Sequence, residues 1–246
     1  MSRIESIIEP IDFEEGVIDA KGIMHVGGKV MNRNEVPYRI TKGVLKIPGG
    51  SPLENEANAN ELLTRLIVKE GVTHIAKGSF HCYSNLRTVS FPNSLLSIGA
   101  AAFSFTPIRS LTIPDGVVSI GVGAFEFCLK LRELKCGSTL KEIGVGAFSH
   151  CKRLSFVESS KGLVSIGERA FLGCNIRAIQ FFEGLSIIGE KAFAGNKLRK
   201  IVLPNSVISI GNDAFDCDRL LEATIPVTVD NVGNDVFPTR TKIIRI

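Results

Sequence analysis

Residues 114–138 read PDGVVSIGVGAFEFCLKLRELKCGS, and this stretch decides the fold because versions of it return along the chain. Its centre, Ile-Gly-x-x-Ala-Phe, or a close variant, begins at residues 75, 98, 120, 143, 166, 188, 210 and 232. Successive copies are therefore 22 or 23 residues apart. A fixed period of about 20–29 residues is typical of leucine-rich repeats, in which stacked turns share one continuous core.

A second signature, Leu-x-x-φ-x-φ with φ apolar, follows the phenylalanine of each copy, as in Leu131, Leu134 and Cys136. Its last two apolar positions alternate, which is strand periodicity. Proline, which cannot donate a ladder hydrogen bond, follows in several copies. We expect strands centred at residues 45, 66, 89, 111, 134, 157, 179, 201, 223 and 244. The sequence thus predicts a solenoid arc with a parallel β-sheet of about ten short strands, 22–23 residues per turn and little helix.

Two columns of residues are predicted to fill the core. A phenylalanine that recurs once per turn is a packing residue rather than a ligand box. This column comprises Phe80, Phe103, Phe125, Phe148, Phe171, Phe193, Phe215 and Phe237. Cys128, Cys151 and Cys174 recur three residues after it. Stacked cysteines could form a disulfide or bind metal, but there is no Cys-x-x-Cys pair and the four histidines complete no tetrahedral set. Buried free thiols are the favoured interpretation, with no metal and no cofactor.

Residues 1–42 lack the repeat, and residues 1–62 are predicted to form an N-terminal cap. Residues 16–31 suggest two short strands with glycine turns, and residues 51–63 suggest a short helix. A separate functional domain is the alternative, but so few residues rarely form an independent core. We therefore divide the chain into a cap, 1–62, and a solenoid, 63–246.

The repeat resembles that of the BspA-type leucine-rich repeat family. The family pattern P-x-x-V-x-x-I-G-x-x-A-F-x-x-C-x-x-L-x-x-φ-x-φ is matched almost completely by residues 114–138, and the resemblance covers about residues 63–246. It implies a binding scaffold, frequently an adhesin-like surface protein, and supplies no catalytic residues.

Two groups of exposed residues are candidates for binding. The residue after the strand-opening Leu or Ile is arginine in five turns: Arg87, Arg109, Arg132, Arg177 and Arg199. This arginine column is either a solvated ladder or a stripe that recognises anions. On the strand face, presumed concave, the candidates are Lys135, Phe156, Glu158 and Lys200. Phe156 would be a central aromatic hot spot or an ordinary exposed apolar residue.

Composition and motifs exclude several classes of function. The 246 residues contain 29 Lys+Arg and 25 Asp+Glu, a net charge of +4, which is a mild balance that disfavours, without excluding, a nucleic-acid binder. There is no apolar run long enough to span a membrane and no apolar core of a secretory signal near the N-terminus. No nucleophile elbow, zinc-protease motif or phosphate-binding loop occurs, so the chain is not expected to be an enzyme.

The sequence predicts a non-catalytic scaffold that binds a partner protein on its strand face and arginine-lined edge. The alternative is a cell-surface or secreted adhesin or effector that contacts a host protein or an anionic glycan. Self-association end to end through an exposed terminal strand is a further prediction. A chain without a leader would be cytoplasmic by default, and surface exposure would require a missing leader or leaderless export.

Overall fold

The computed structural model describes residues 63–246 and, upstream of them, the backbone of five short strands. These are β1 (Glu15–Ile18), β2 (Met24–Val26), β3 (Lys29–Val30), β4 (Arg39–Thr41) and β5 (Val44–Lys46). Residues 63–246 wind into a β-solenoid that has no helix. The predicted repeat solenoid is therefore confirmed, whereas the helix expected within residues 51–63 lies, apart from Leu63, outside the described residues.

One column of strands runs without a break along the solenoid and is built on the Ile-Gly motif. We call its members the Ile-Gly strands. They are β7 (His74–Ile75), β9 (Ser97–Ile98), β11 (Ser119–Ile120), β13 (Glu142–Ile143), β15 (Ser165–Ile166), β16 (Ile187–Ile188), β18 (Ser209–Ile210) and β20 (Asn231–Val232). Each pairs in parallel with the next, isoleucine beside isoleucine in most pairs. With β5 and β4 added at one end they form a ten-stranded sheet.

The second column follows the Leu-x-x-φ-x-φ signature, and we call its members the Leu strands. They are β6 (Arg65–Val68), β8 (Thr88–Ser90), β10 (Ser110–Thr112), β12 (Glu133–Lys135), β14 (Phe156–Glu158), β17 (Lys200–Val202), β19 (Glu222–Ile225) and β21 (Lys242–Arg245). The middle residue of β10, β12 and β14 is buried while its neighbours face outward. The alternation read from the sequence is therefore present, and it points the Leu column into the core.

The Leu strands do not form the single sheet that was expected. They divide into three sheets, containing β6 and β8, β10 to β14, and β17 to β21. The strand expected at residue 179 is absent, since residues 175–182 form no strand. The strand expected at residue 45 exists, but Leu45 pairs with Ile75 in the Ile-Gly sheet. Its alternating pattern is compatible with either column, and no Phe column precedes it to distinguish the two.

Turn length changes at the places where the Leu ladder is interrupted. Nine residues lead from Phe148 to the strand centre Val157, but only eight lead from Phe171 to Ile179. The other change from nine to eight falls between the turns of Phe80 and Phe103, where β8 and β10 are likewise unpaired. Such a change does not by itself break pairing, because β10 and β12 also differ by one residue and pair in register. We call the gap between β14 and β17 the sheet interruption.

The Phe column is a continuous stack of rings through the core. Consecutive rings from Phe80 to Phe237 are stacked, with centroids 5.0–5.8 Å apart. The N–H of each phenylalanine from 80 to 193 donates to the alanine carbonyl that precedes the phenylalanine of the next turn, as Phe148 does to Ala170 at 2.8 Å. The glycine of the Ile-Gly motif permits this approach: a Cβ added to Gly144 would lie 2.8 Å from the carbonyl oxygen of Ile120.

A column of cysteine and asparagine side chains donates hydrogen bonds to the backbone carbonyls of the Phe column. The thiol of Cys151 donates to the carbonyl of Phe125 at 3.2 Å, one turn back, and Cys128, Cys174 and Cys217 make the equivalent bonds. Asn196 replaces cysteine in one turn, and its amide donates to Phe171 and Phe193 while its Oδ1 accepts the Ile176 N–H. The predicted burial of the thiols is confirmed. Burial also raises the pKa of Cys151 well above its ordinary value.

The N-terminal strands continue both columns. β1 pairs in parallel with β6 and in antiparallel with β2, while β4 and β5 form an antiparallel pair beside β7. Three short strands, β1, β2 and β3, therefore lie where residues 16–31 suggested two. The assignment of residues 1–62 as a cap stays a prediction.

Replacing Phe148 by Ala is expected to lower the free energy of unfolding by about 3–5 kcal/mol, because the ring is fully buried between Phe125 and Phe171. The matched control is Phe237→Ala at the end of the stack, where the ring is only partly buried and stacks on Phe215 alone. Urea unfolding followed by circular dichroism measures both. Equal losses at the two positions would contradict the assigned stack.

The buried thiols are expected to resist modification in the folded protein. At pH 8, a disulfide reagent such as DTNB should leave Cys128, Cys151, Cys174 and Cys217 unmodified, because they are buried and the thiolate is the reactive form. Unfolding in denaturant should expose them all. Rapid native labelling of Cys151 would contradict this packing.

The raised pKa of Cys128 and Cys151 also predicts that the stability of the fold decreases as pH rises above about 8.5, where the thiols of the unfolded chain ionise first.

Candidate functional site

Each Leu strand from β8 to β19 is preceded by a buried leucine or isoleucine that is flanked by surface residues. Leu131, for example, is buried, whereas Lys130 and Arg132 on either side of it are exposed. Because the turns stack in register, these flanking residues form two parallel columns on the surface. The first column is the predicted arginine column. The second contains Asn85, Pro107, Lys130 and Arg153.

The two columns enclose a groove of about 440 Å³, which we call the arginine groove. It is lined by Ser84, Asn85, Arg87, Pro107, Arg109, Lys130, Arg132 and Arg153. Three arginines of the predicted column therefore lie together, and the structure adds Lys130 and Arg153, which the sequence analysis did not select. The sequence alone could have indicated Lys130 and Arg153, since they occupy the same place before the buried leucine in two consecutive turns of equal length.

Backbone hydrogen bonds join three of the predicted arginines from turn to turn, whereas within residues 63–246 the other two have no such bond to the turn before. The Arg109 N–H donates to the carbonyl of Arg87 at 3.1 Å, and that of Arg132 donates to Arg109 at 2.9 Å. Among the described residues, no such bond links Arg177 or Arg199 to the turn before it. Both follow the sheet interruption and neither lines the arginine groove. The column predicted as one stripe of five is therefore divided.

The positive charges of the arginine groove are not neutralised within residues 63–246. No carboxylate of these residues forms an ion pair with Arg87, Arg109, Lys130, Arg132 or Arg153. None lines the groove. Elsewhere cations are paired, such as Lys200 with Glu222 at 2.6 Å and Lys135 with Glu133 at 3.3 Å.

Acidic residues at several turns are occupied by the backbone instead. The Glu70 carboxylate accepts the backbone N–H groups of Asn93 and Ser94, and the first of these bonds is the main cause of its lowered pKa. Asp115 accepts the N–H of Ser138 in the next turn, which lowers its pKa in the same way. These carboxylates cap turns and do not line the arginine groove.

A second concave feature lies at the sheet interruption, beside Phe156. We call it the central depression. It is lined by Ser155, Phe156, Val157, Glu158, Ser159, Arg177, Ala178, Ile179, Gln180 and Phe182. The Phe156 side chain is 51% exposed, as the sequence predicted for an outward position at the middle of the strand series. The interruption opens this depression, because residues 175–182 do not continue the ladder of β14.

The remaining predicted residues lie around this region. Glu158 also lines a shallow groove with Lys135, on the other side of β14. Lys200 lines a further groove beyond residues 179–183, together with Val202 and Ile246. Arg199 is exposed but lines none of these grooves. The nine predicted binding residues are therefore not brought together: three arginines line the arginine groove, while Arg177 lines the central depression with Phe156 and Glu158.

One exposed aromatic feature was not anticipated. Phe105, Phe127 and His150 occupy equivalent positions in consecutive turns, with left-handed backbone φ angles of 55–60°. Gly173 and Gly195 take the same position in the next two turns, as this conformation favours. The rings stack on one another with centroids 4.8 Å apart. The signal in the sequence was an aromatic two residues after the core phenylalanine.

The described part of the chain shows neither a metal site nor a membrane span. Within it, no three His, Cys, Asp or Glu residues are grouped as metal ligands. No helix there is long and apolar enough to cross a bilayer.

Comparison with solved structures identifies other leucine-rich repeat proteins as similar. A leucine-rich repeat protein from Bacteroides ovatus matches with a TM-score of 0.60 and 22% identity, over 75% of this chain and 55% of that one. The chain therefore spans little more than half of that relative. The T. pallidum leucine-rich repeat protein matches with a TM-score of 0.51 and 21% identity, over 78% of this chain and 91% of that one. At these identities the likeness concerns the fold alone.

Sequence comparison identifies the family. Among curated proteins no sequence matches significantly. The family model described as a BspA type leucine rich repeat region matches with six copies, over residues 52–163 and 141–246. These ranges cover most of the chain and include every Ile-Gly strand. The chain belongs to the BspA-type leucine-rich repeat family.

Proposed function

We propose that this repeat scaffold binds a partner protein on its strand face, with Phe156 as the anchor. The observation that carries the proposal is the central depression, in which a half-exposed aromatic stands beside Val157, Ile179 and Phe182. Interface hot spots are typically aromatic residues in such surroundings, with polar groups at the rim. The extended surface of a solenoid suits this use.

The polar residues around the depression support a protein ligand. Arg177 and Glu158 provide opposite charges on the same surface, and Gln180 provides an amide between them. A rim of this kind can form hydrogen bonds to backbone and side chains of a partner while Phe156 supplies apolar contact area. The proposed role is non-catalytic.

The test begins with the wild-type protein and two variants used as bait in the source cells and their surroundings. Phe156→Ser removes the anchor, and Val122→Ser removes a similarly exposed apolar side chain outside the Leu strands. A protein captured by the wild type is identified by mass spectrometry, purified, and titrated by calorimetry against all three. Circular dichroism melts confirm that both variants fold.

The expected result is a loss of about 2 kcal/mol or more of binding free energy for Phe156→Ser, roughly 30-fold in Kd. Val122→Ser should change Kd less than twofold, because it lies away from the proposed interface. Equal affinity of wild type and Phe156→Ser for the purified partner would contradict the proposed site, and so would an equal loss in both variants.

A further inference from the structure

We propose that the arginine groove is a binding site for a sulfated polysaccharide. The site is distinct from the central depression, shares no residue with it, and does not depend on the protein-binding function proposed above. It combines five cationic side chains from four consecutive turns with no lining carboxylate. A surface of this composition favours a ligand that is itself anionic.

The arrangement of the cations indicates several anionic groups rather than one. Adjacent turns in a parallel ladder are about 4.8 Å apart, so the distance from Arg87 to Arg153 is roughly three such steps, about 15 Å. A single sulfate or phosphate ion cannot contact all of these residues. A chain with an anionic group on successive units can, and the guanidinium fork suits sulfate oxygens.

The remaining lining residues distinguish among polyanions. Apart from the cations, the groove presents the polar side chains of Ser84 and Asn85 and the single apolar ring of Pro107. An acidic peptide would bring apolar side chains that find no pocket here. A polyhydroxylated sugar chain has none, and its hydroxyl groups can bond to polar side chains such as these.

The structure also disfavours a single-stranded nucleic acid. Binding of unpaired bases generally uses aromatic faces as stacking platforms. The exposed aromatics nearest in sequence, Phe105, Phe127 and His150, stack on one another at 4.8 Å, so their faces are largely covered by their neighbours. Gly173 closes the far end, since an added Cβ there would lie 2.9 Å from the Nδ1 atom of His150.

The chain itself offers matched variants for the test. The groove variant carries Arg109→Ser, Arg132→Ser and Arg153→Ser. The control variant carries Lys152→Ser, Arg199→Ser and Arg219→Ser, which removes the same charge from exposed positions outside both the arginine groove and the central depression. Serine is the residue that the arginine column already has at Ser155. Both variants are compared with the wild type for secondary structure and melting temperature.

Binding is measured by fluorescence anisotropy with a labelled heparin octasaccharide at several salt concentrations. We expect the groove variant to lose about tenfold or more in affinity and the control variant less than about twofold, because charged hydrogen bonds are lost only in the first. Wild-type affinity should decrease with added salt, as exposed ionic contacts do. Competition uses the desulfated octasaccharide, a polyglutamate peptide and an oligothymidylate.

Equal losses in the two variants would overturn the proposal, because attraction to net charge alone would then explain binding. It would also be overturned by equal competition from the desulfated sugar, or by stronger competition from polyglutamate or oligothymidylate, which would assign the groove to another polyanion. If the groove variant does not fold, wild-type arginines are modified with phenylglyoxal with and without the octasaccharide and mapped by mass spectrometry. Protection of Arg109, Arg132 and Arg153 relative to Arg199 and Arg219 supports the site, and uniform protection overturns it.

Discussion

The structure depends on the distance between successive turns, which the core holds at about 5 Å throughout. The main-chain bond from Phe148 to Ala170 and its equivalents set this distance, and the stacked rings of the Phe column fill it. Glycine follows the isoleucine of every turn from Ile98 onward because a larger residue would meet the backbone of the turn before. Hydrogen bonds, aromatic packing and residue size thus agree on one repeat distance, which is the condition for a continuous core.

The same distance between turns also brings equivalent residues of neighbouring turns close together on the surface. For charged residues this is unfavourable: two like charges 5 Å apart repel by about 0.8 kcal/mol even in water. The columns of charged residues differ in whether neighbouring side chains compensate this repulsion. Lys191 lies against Glu190 and Asp213, and Lys200 against Glu222, so there the column is neutralised. In the arginine groove no carboxylate of residues 63–246 provides such compensation, which leaves these charges open to solvent or to a bound anion.

The features that the repeat distance controls directly could be predicted from the sequence alone. The period, the Phe column and the inward thiols all follow from identical residues recurring at a constant place, and the structure contains them. Features that depend on a difference between turns were missed. The step from nine to eight residues between core phenylalanine and strand is visible at Phe148 and Phe171, but the average period conceals it. The interruption of the ladder after β14 and the division of the arginine column both coincide with that step.

The interruption also gives the two candidate surfaces separate origins. In the arginine groove, Arg87, Arg109 and Arg132 lie side by side because backbone hydrogen bonds join them from turn to turn, although β8 and β10 themselves are not paired. The central depression exists because the register fails after β14, which leaves space beside Phe156 that a continuous sheet would fill. One surface is therefore made by the regularity of the repeat and the other by a departure from it. Since they share no residues, each can change without the other, and a scaffold of this design can acquire two independent ligands from one fold.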